Sequence, residues 1–312
     1  MSNLIKAEKK CVSPGSLVLL LRANFLPASI TAFLLGAGLA FRNGYSLNPP
    51  RFFVGLAGVV FAHLAGNTVN NYCDHVTGAD SENTRTTPFF GGTRVLVEGA
   101  ISPVAALRAA LVLGTAALIS GVAIFLMTKD PVFIFIVASG GFLTLQYTAG
   151  PLRLSYRGLG EADIFFLFGP FLVMSAYYLF ARSFTLESFM VSLIPGGLIL
   201  SVITRNEIPD AATDRKAGKN NLAVILGLSG AERLYMCGLV LSAAALFVSI
   251  ARGTLPAIAL VCLPLYIPAL ARKICKVTLN GSEDTDVVLS GWAVFTHFVV
   301  TLAAAGILFR AA

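Results

Sequence analysis

The sequence predicts an all-α, polytopic membrane protein, and three observations support that fold class. Hydrophobic residues make up 56% of the 312 positions and charged residues only 12%, whereas a soluble domain normally carries about 25% charged residues. Apolar runs of membrane-spanning length recur along the whole chain. Acidic and amide side chains gather at the ends of two of these runs, where ionisable groups are costly and usually functional.

Nine apolar runs make up most of the chain, and each predicts one transmembrane helix because a bilayer crossing needs roughly 20 residues. The first run follows a polar, basic N-terminal segment, and the second and sixth runs end in the polar clusters. Polar connections at 75–102, 149–159 and 205–231 are long enough to carry functional residues. The predicted helices cover residues 19–41, 52–71, 103–127, 131–148, 160–181, 186–204, 232–251, 254–271 and 287–309.

The placement of lysine and arginine predicts how these helices are oriented. With the N-terminus in the cytoplasm and the C-terminus outside, most of the 23 Lys and Arg residues fall in cytoplasmic segments, as the positive-inside rule requires. Both polar clusters, and a central cavity between the helices, then lie at the cytoplasmic face. The net charge of +7 follows from this bias and suits membrane lipids, so it gives no argument for nucleic acid. The basic residues left outside are Arg42, Arg51, Lys129, Arg182, Arg252 and Arg310.

The first polar cluster ends the second predicted helix. Asn67, Asn71 and Asp74 are spaced i, i+4, i+7, and Asn70 lies four residues before Asp74, so these side chains project from one helix face. Asp80 follows in the next connection. Carboxylate and amide oxygens suit Mg²⁺, which typically takes one or two carboxylates and substrate phosphates.

The second cluster ends the sixth predicted helix. Asn206, Asp210 and Asp214 step by four residues and also share one face. The chain has only three histidines, and its five cysteines are scattered, so a zinc site is not expected. Two such clusters predict a pair of metal sites that face each other and hold a diphosphate. The alternative interpretation is that each cluster is only a polar helix end among lipid headgroups.

Basic and aromatic residues near the clusters complete the predicted site. Arg and Lys bind phosphate oxygens, and Arg215 and Lys219 lie closest to Asp214 in the sequence. Tyr147 is a candidate to stabilise a cationic intermediate, because aromatic faces attract cations. Both types of residue also have a simpler interpretation. The basic residues would then only determine the membrane topology, and the tyrosine would only lie at the membrane interface. The predicted diphosphate-binding residues are Arg85, Arg94, Arg153, Arg215 and Lys219.

Taken together, the motifs resemble the UbiA superfamily of intramembrane prenyltransferases. The resemblance covers most of the chain and implies one domain over residues 1–312. Its middle connection is similar to the branch of the family that prenylates 1,4-dihydroxy-2-naphthoate. The segments that carry the resemblance are Asn67-Thr-Val-Asn70-Asn71-Tyr72-Cys73-Asp74 with Gly78-Ala-Asp80, Tyr147-Thr-Ala-Gly150-Pro151 to Gly158-Leu-Gly160-Glu161, and Asn206 to Asp214 with Ala217-Gly218-Lys219.

The resemblance implies a set of site residues. Two Mg²⁺ ions would bridge an isoprenyl diphosphate, and Asp74, Asp210, Asp214 and Tyr147 would be catalytic. Many members have Asp where this chain has Asn71, which brings no charge, so position 71 is left out of the ligand set. The implied ligands are Asn67, Asn70, Asp74 and Asp80 on one side, and Asn206, Asp210 and Asp214 on the other.

The implied function is Mg²⁺-dependent transfer of a polyprenyl group from an isoprenyl diphosphate to an aromatic acceptor. The expected acceptor is 1,4-dihydroxy-2-naphthoate in menaquinone biosynthesis. The expected location is the plasma membrane if the source is a bacterium or an archaeon. Alternatives are another acceptor (4-hydroxybenzoate, homogentisate, a chlorophyllide or a glyceryl phosphate lipid) or a transporter whose intramembrane acids form an ion path.

Overall fold

The computed structural model describes residues 13–82, 87, 89–90, 92–267 and 283–311. Within these ranges the chain forms helices joined by short irregular segments, with one isolated bridge between Arg157 and Asn220 and no strand. The α-helices are α1 Pro14–Leu20, α2 Leu26–Arg42, α3 Pro49–Thr77, α4 Ala79–Glu82, α5 Pro103–Thr128, α6 Val132–Thr148, α7 Gly160–Phe166, α8 Leu172–Ala181, α9 Leu186–Lys216, α10 Leu222–Ala251 and α11 Glu283–Arg310.

Seven helical stretches in the described part of the chain are long and apolar enough to cross a membrane. They confirm the predicted class, an all-α polytopic membrane protein. Each corresponds to a predicted run, although several extend further than the apolar residues do. The seven are Ala23–Arg42, Pro49–Thr77, Pro103–Thr128, Gly160–Ala181, Leu186–Lys216, Leu222–Ala251 and Thr285–Arg310.

Helix α6 has only 17 residues, but it covers the same depth of the helix bundle as α3. Near the start of α3, the Arg51 guanidinium donates to the carbonyl oxygen of Met127 in α5, at 3.4 Å. Near the end of α3, Asn70 Nδ2 donates to Thr148 Oγ1 at the end of α6, at 2.8 Å. Since α6 follows α5 directly, it returns antiparallel to α5 and brings its C-terminal end to the first polar cluster.

The predicted connection 205–231 is wrong, because most of it is helical. Helix α9 continues to Lys216 instead of ending near 204, and α10 begins at Leu222 instead of 232. The prediction ended α9 where its apolar residues end, but the helical backbone continues through the polar cluster. A kink at Gly227, with φ of 66°, lies inside α10.

The eighth predicted helix, 254–271, differs from the prediction in helix type and in its start over the part that is described. Ala257–Leu265 form a 3₁₀ helix. Pro264 lies inside it, and its ring removes a backbone donor that an α-helix would use. Residues 268–271 of this predicted helix lie outside the described residues.

Close packing of α9 against α10 depends on small residues. A Cβ on Gly197 would lie 2.5 Å from the Gly238 carbonyl oxygen, so no larger residue fits there without moving a helix. Beside this contact, Ser201 Oγ donates to the carbonyl oxygen of Tyr235 at 2.9 Å. Small residues and interhelical hydrogen bonds are the usual means by which membrane helices associate. This packing fixes the position of α9, which carries the second cluster.

A π-helical turn, Leu167–Phe171, separates α7 from α8 within the predicted helix 160–181. Pro170 lies in the turn and has no N–H to donate. Turns of this kind inside helices are frequent at functional sites. Here the turn lies beside the central cavity, and both Phe168 and Phe171 line that cavity.

Candidate active site

A cavity of about 750 Å³ lies between α2, α3, α6, the α7–α8 unit and α9. Polar residues at the C-terminal ends of α3 and α9 line one part of it, and mostly apolar residues line the rest. The two clusters, which are far apart in the sequence, therefore meet across one space. All of the sequence-predicted metal ligands line it: Asn67, Asn70, Asp74, Asp80, Asn206, Asp210 and Asp214.

The two asparagines of the first cluster are held by their amide nitrogens. Asn67 Nδ2 donates to the carbonyl oxygen of Leu21 at 3.0 Å. Asn70 Nδ2 donates to Thr148 Oγ1 at 2.8 Å. With the nitrogens engaged by the protein, the amide oxygens are the atoms available to a cation.

Asp74 is the buried carboxylate of the first cluster, with 3% of its surface exposed. Its Oδ1 accepts a hydrogen bond from the Tyr156 hydroxyl at 3.3 Å. The neighbouring Asn71 is fully buried, donates to the carbonyl oxygen of Leu20 at 2.6 Å and does not line the cavity. Asn71 therefore anchors α3 to α1 instead of contributing to the cavity lining.

Asp80 lies on the short helix α4 and is 5% exposed. Gly92, with φ of 67°, packs against its carboxylate so closely that a Cβ at position 92 would collide with Asp80 Oδ1. Burial, together with the negative charge of Asp74, raises the pKa of Asp80 to about 7. Its Oδ2 is buried and has no hydrogen-bond partner among the described residues.

The second cluster is held in place from α10. Asn221 caps α10 by accepting from the backbone N–H of Val224 at 2.9 Å, and its Nδ2 donates to Asp214 Oδ2 at 2.7 Å. Asn206 Oδ1 is buried, and no hydrogen-bond donor reaches it within the described ranges. One asparagine thus fixes both the start of α10 and the orientation of the Asp214 carboxylate.

Lys219 links the two clusters electrostatically. Gly218, with φ of 73°, turns the chain back, and Lys219 N–H donates to the carbonyl oxygen of Asp214 at 2.9 Å. Lys219 Nζ then lies 3.5 Å from Asp74 Oδ2. Burial alone would lower the pKa of Lys219, but the carboxylates of Asp74 and Asp214 outweigh it and hold that pKa well above its usual range. The ammonium is therefore a fixed positive charge between acids from both clusters.

The other predicted phosphate-binding residues do not share one position relative to the cavity. Arg94 lines the cavity, with its Nε 3.0 Å from Glu98 Oε1. Arg153 lies outside the cavity lining, with its guanidinium 4.3 Å above the centre of the Tyr156 ring. Arg85 lies outside the described residues.

Arg215 points away from the cavity. Its Nη2 donates to the carbonyl oxygen of Val224 in α10, at 3.0 Å. The extension of α9 beyond 204 causes this, because it places Arg215 on the face opposite to the acids. Lys219, in the turn after the helix, reaches the cavity instead.

Tyr147, the residue predicted to stabilise a cation, lines the cavity at the end of α6. Four further ionisable lining residues were missed by sequence reasoning, namely Arg22, His63, Glu98 and Glu207. A signal existed for His63, since it lies four residues before Asn67 and so shares its helix face. For Arg22 the signal was absent, because a left-handed backbone with φ of 45° directs it.

The residues of the two clusters fit Mg²⁺. Every candidate ligand is a carboxylate or amide oxygen, and buried orphaned oxygens occur on both sides, at Asp80 and Asn206. Among the described residues no three acidic, histidine or cysteine side chains are grouped closely enough to hold an ion on their own. Mg²⁺ usually takes one or two carboxylates and completes its shell with substrate phosphates and water.

Comparison with known proteins identifies the class that this fold and site define. The sequence model of the UbiA prenyltransferase family matches residues 29–299, which is most of the chain. The chain belongs to that family, and it is a prenyltransferase of the multi-pass membrane type.

The chain is similar to individual relatives at low sequence identity. The chain is 28% identical to the 1,4-dihydroxy-2-naphthoate octaprenyltransferase of Escherichia coli, over 70% of each chain. It is 32% identical to the UbiA prenyltransferase domain-containing protein 1 of Homo sapiens, over 73% of this chain and 65% of that protein. The fold resembles a UbiA homologue from Archaeoglobus fulgidus solved with GPP and Mg²⁺, with a TM-score of 0.60, 17% identity, and coverage of 94% of this chain and all of that one.

Proposed function

We propose that this enzyme transfers a polyprenyl group from an isoprenyl diphosphate to 1,4-dihydroxy-2-naphthoate, a step of menaquinone biosynthesis. The single observation that supports this most strongly is that both oxygen-rich clusters line one cavity, with Lys219 between them. Such a site suits an anion held by cations, which is the chemistry of a diphosphate. The similarity to the naphthoate enzyme of Escherichia coli supports the choice of acceptor.

The chain's residues would bind the diphosphate from two sides. Asn67, Asn70, Asp74 and Asp80 would hold one Mg²⁺, and Asn206, Asp210 and Asp214 a second. Lys219 and Arg94 donate to phosphate oxygens, which the lysine reaches from the turn after α9. Bound Mg²⁺ supplies Lewis-acid stabilisation of the leaving diphosphate. GPP and Mg²⁺ in the Archaeoglobus fulgidus homologue support this assignment.

The remaining steps belong to the proposed prenyl transfer. The allylic C–O bond breaks and the electron pair leaves with the diphosphate, in a space whose apolar walls exclude water. Tyr147 stabilises the allylic cation through its ring face. The electron-rich acceptor ring attacks that carbon, the ring proton is lost, and the acceptor carboxylate leaves as CO₂ with a proton taking its place.

The proposal includes a topology of nine transmembrane helices, with the N-terminus in the cytoplasm and the C-terminus outside. The contacts at both ends of α6 support its crossing, in addition to the seven longer helices. The ninth crossing is the predicted run 254–271, in which Ala257–Leu265 form a 3₁₀ helix. The site then opens at the cytoplasmic face of one UbiA-type domain, in the plasma membrane if the source is a bacterium or an archaeon.

A turnover assay tests the acceptor assignment. The detergent-solubilised enzyme is given Mg²⁺ and geranylgeranyl diphosphate, with 1,4-dihydroxy-2-naphthoate beside 4-hydroxybenzoate, homogentisate and a glyceryl phosphate lipid. The expected main product is the prenylated, decarboxylated naphthoquinol. Pyrophosphate release with only another acceptor would keep the mechanism and overturn the acceptor. If no acceptor gives pyrophosphate release, the result would favour the transporter interpretation.

A further inference from the structure

His63 continues the polar face of α3 into the apolar part of the cavity. It precedes Asn67 by four residues, Asn70 by seven and Asp74 by eleven, a spacing that places all four on one helix face. All four line the cavity. At 1.5 Å per residue, His63 lies about 6 Å from Asn67 and about 16 Å from Asp74 along the helix axis.

The imidazole of His63 is oriented by its neighbours. Its Nδ1 lies 2.5 Å from Ser29 Oγ on α2. The Phe168 ring packs against it at an angle of 82°, with ring centres 5.4 Å apart. Nε2, on the other edge, is buried and has no hydrogen-bond partner among the described residues. A buried polar atom left without a partner destabilises the folded state, so His63, which lines the cavity, favours a ligand that hydrogen-bonds with Nε2.

The chemistry of the substrates decides which ligand that is. The isoprenoid tail is a hydrocarbon and offers no hydrogen bond. The diphosphate is expected at the opposite end of the α3 face, beside Asp74 and Lys219. The aromatic acceptor carries ring oxygens, and it must lie next to the reacting prenyl carbon, at about 3–3.5 Å in a reactive arrangement.

We infer that His63 Nε2 hydrogen-bonds an oxygen substituent of the aromatic acceptor and thereby selects acceptors with an oxygen at that position. The inference rests on the proposed prenyl transfer and adds the residue that recognises the acceptor. Ser29 is a positioning residue, because it acts through Nδ1 of the imidazole. The edge of Phe168 and the apolar lining next to it form the wall against which the flat ring lies.

Two measurements test this inference separately from the proposed function. The first is the KM of each substrate for wild type, His63→Leu and His63→Gln. His63→Leu is expected to raise the KM for 1,4-dihydroxy-2-naphthoate by about tenfold to a hundredfold, the loss of one hydrogen bond to a buried partner. The KM for geranylgeranyl diphosphate stays within twofold, and His63→Gln recovers part of the loss.

The second measurement is equilibrium binding of 1,4-dihydroxy-2-naphthoate to the detergent-solubilised protein by calorimetry, which needs no turnover. Weaker binding to His63→Leu supports the inference even if wild type releases no pyrophosphate. Unchanged binding overturns it, as does a raised KM for the prenyl diphosphate alone. His297→Leu is the matched control, since it is also a buried helical histidine with an unpartnered Nε2 but does not line this cavity.

Discussion

At the scale of single residues, the site depends on carboxylates that the fold forces close together. Asp80 is the clearest case, since burial and the charge of Asp74 raise its pKa to about 7. Gly92 closes over it, so water has little access to stabilise its charge. Lys219 offsets part of this repulsion, with its ammonium 3.5 Å from Asp74. The site therefore holds carboxylates close together, and a bound cation would reduce the repulsion between them.

The raised pKa of Asp80 predicts how the stability of the metal-free protein depends on pH. Between its unfolded value of 3.8 and its folded value of about 7, the folded chain keeps a proton that the unfolded chain releases. Stability therefore falls as pH rises through this window and levels off above it. Asp80→Asn should flatten that decline in thermal unfolding with chelator present.

Glu98→Gln is the control for this experiment, because Glu98 is an exposed acid at the same cavity, with 61% of its side chain exposed. It should keep the wild-type decline. An Asp80→Asn variant with the same decline as wild type would contradict the electrostatic account. Added Mg²⁺ should stabilise wild type more than Asp80→Asn, since the variant lacks one charged ligand.

Much of the residue-level site could be predicted because a helix repeats every 3.6 residues. The spacings of Asn67, Asn70 and Asp74 place these side chains on one face whatever the rest of the fold does. The role of Arg215 could not be predicted in this way. Its direction depends on how far α9 continues, and the sequence offers no change in composition at that point other than the loss of apolar residues.

At the scale of elements, helix ends were the least predictable feature. Apolar composition indicates where a helix is inside lipid, but α9 continues beyond that region through the polar cluster, and α10 begins at Leu222 rather than at 232. The Asn221 cap, which starts α10 and holds Asp214, could be recognised only once the start of the helix was known. The π turn at Leu167–Phe171 was likewise hidden inside an apolar run.

The α9–α10 contact gives a prediction about stability. Gly238→Leu should destabilise the protein by about 1–3 kcal/mol, the usual cost of overpacking, because a Cβ there would lie 2.6 Å from the Gly197 carbonyl oxygen. Thermal unfolding in detergent measures the change. Gly306→Ala on α11, where a Cβ would meet nothing within 4 Å, should keep or slightly raise the melting temperature, because Ala is the better helix former. Equal stability of the two variants would contradict this packing.

At the scale of the whole molecule, the cavity is the feature that no local pattern determines. Its walls come from helices that are distant in the sequence, and the two clusters meet only because α3 and α9 end at the same level. The sequence did predict this meeting indirectly, through the rule that places basic residues in the cytoplasm. It could not predict the volume of the cavity, because that volume depends on packing between helices.

The proposed topology can be measured with reporter fusions in a bacterial host. Alkaline phosphatase fused after Arg310 should be active and green fluorescent protein at the same point dark, because the C-terminus is expected outside. Fusions at residue 152, in the connection after α6, should give the reverse pattern. A cytoplasmic C-terminus would contradict the odd number of crossings.

The central claim is that the ends of α3 and α9 act together on one diphosphate, and one measurement tests it most directly. Mg²⁺-dependent pyrophosphate release is measured for wild type, Asp74→Asn and Asp210→Asn, each shown by thermal unfolding to be folded. Each single variant should lose nearly all release, since either cluster alone cannot hold the diphosphate between two cations, while His297→Ala should have little effect. Near-normal release in either aspartate variant would contradict the claim, because that side of the cavity would then not be needed for the reaction.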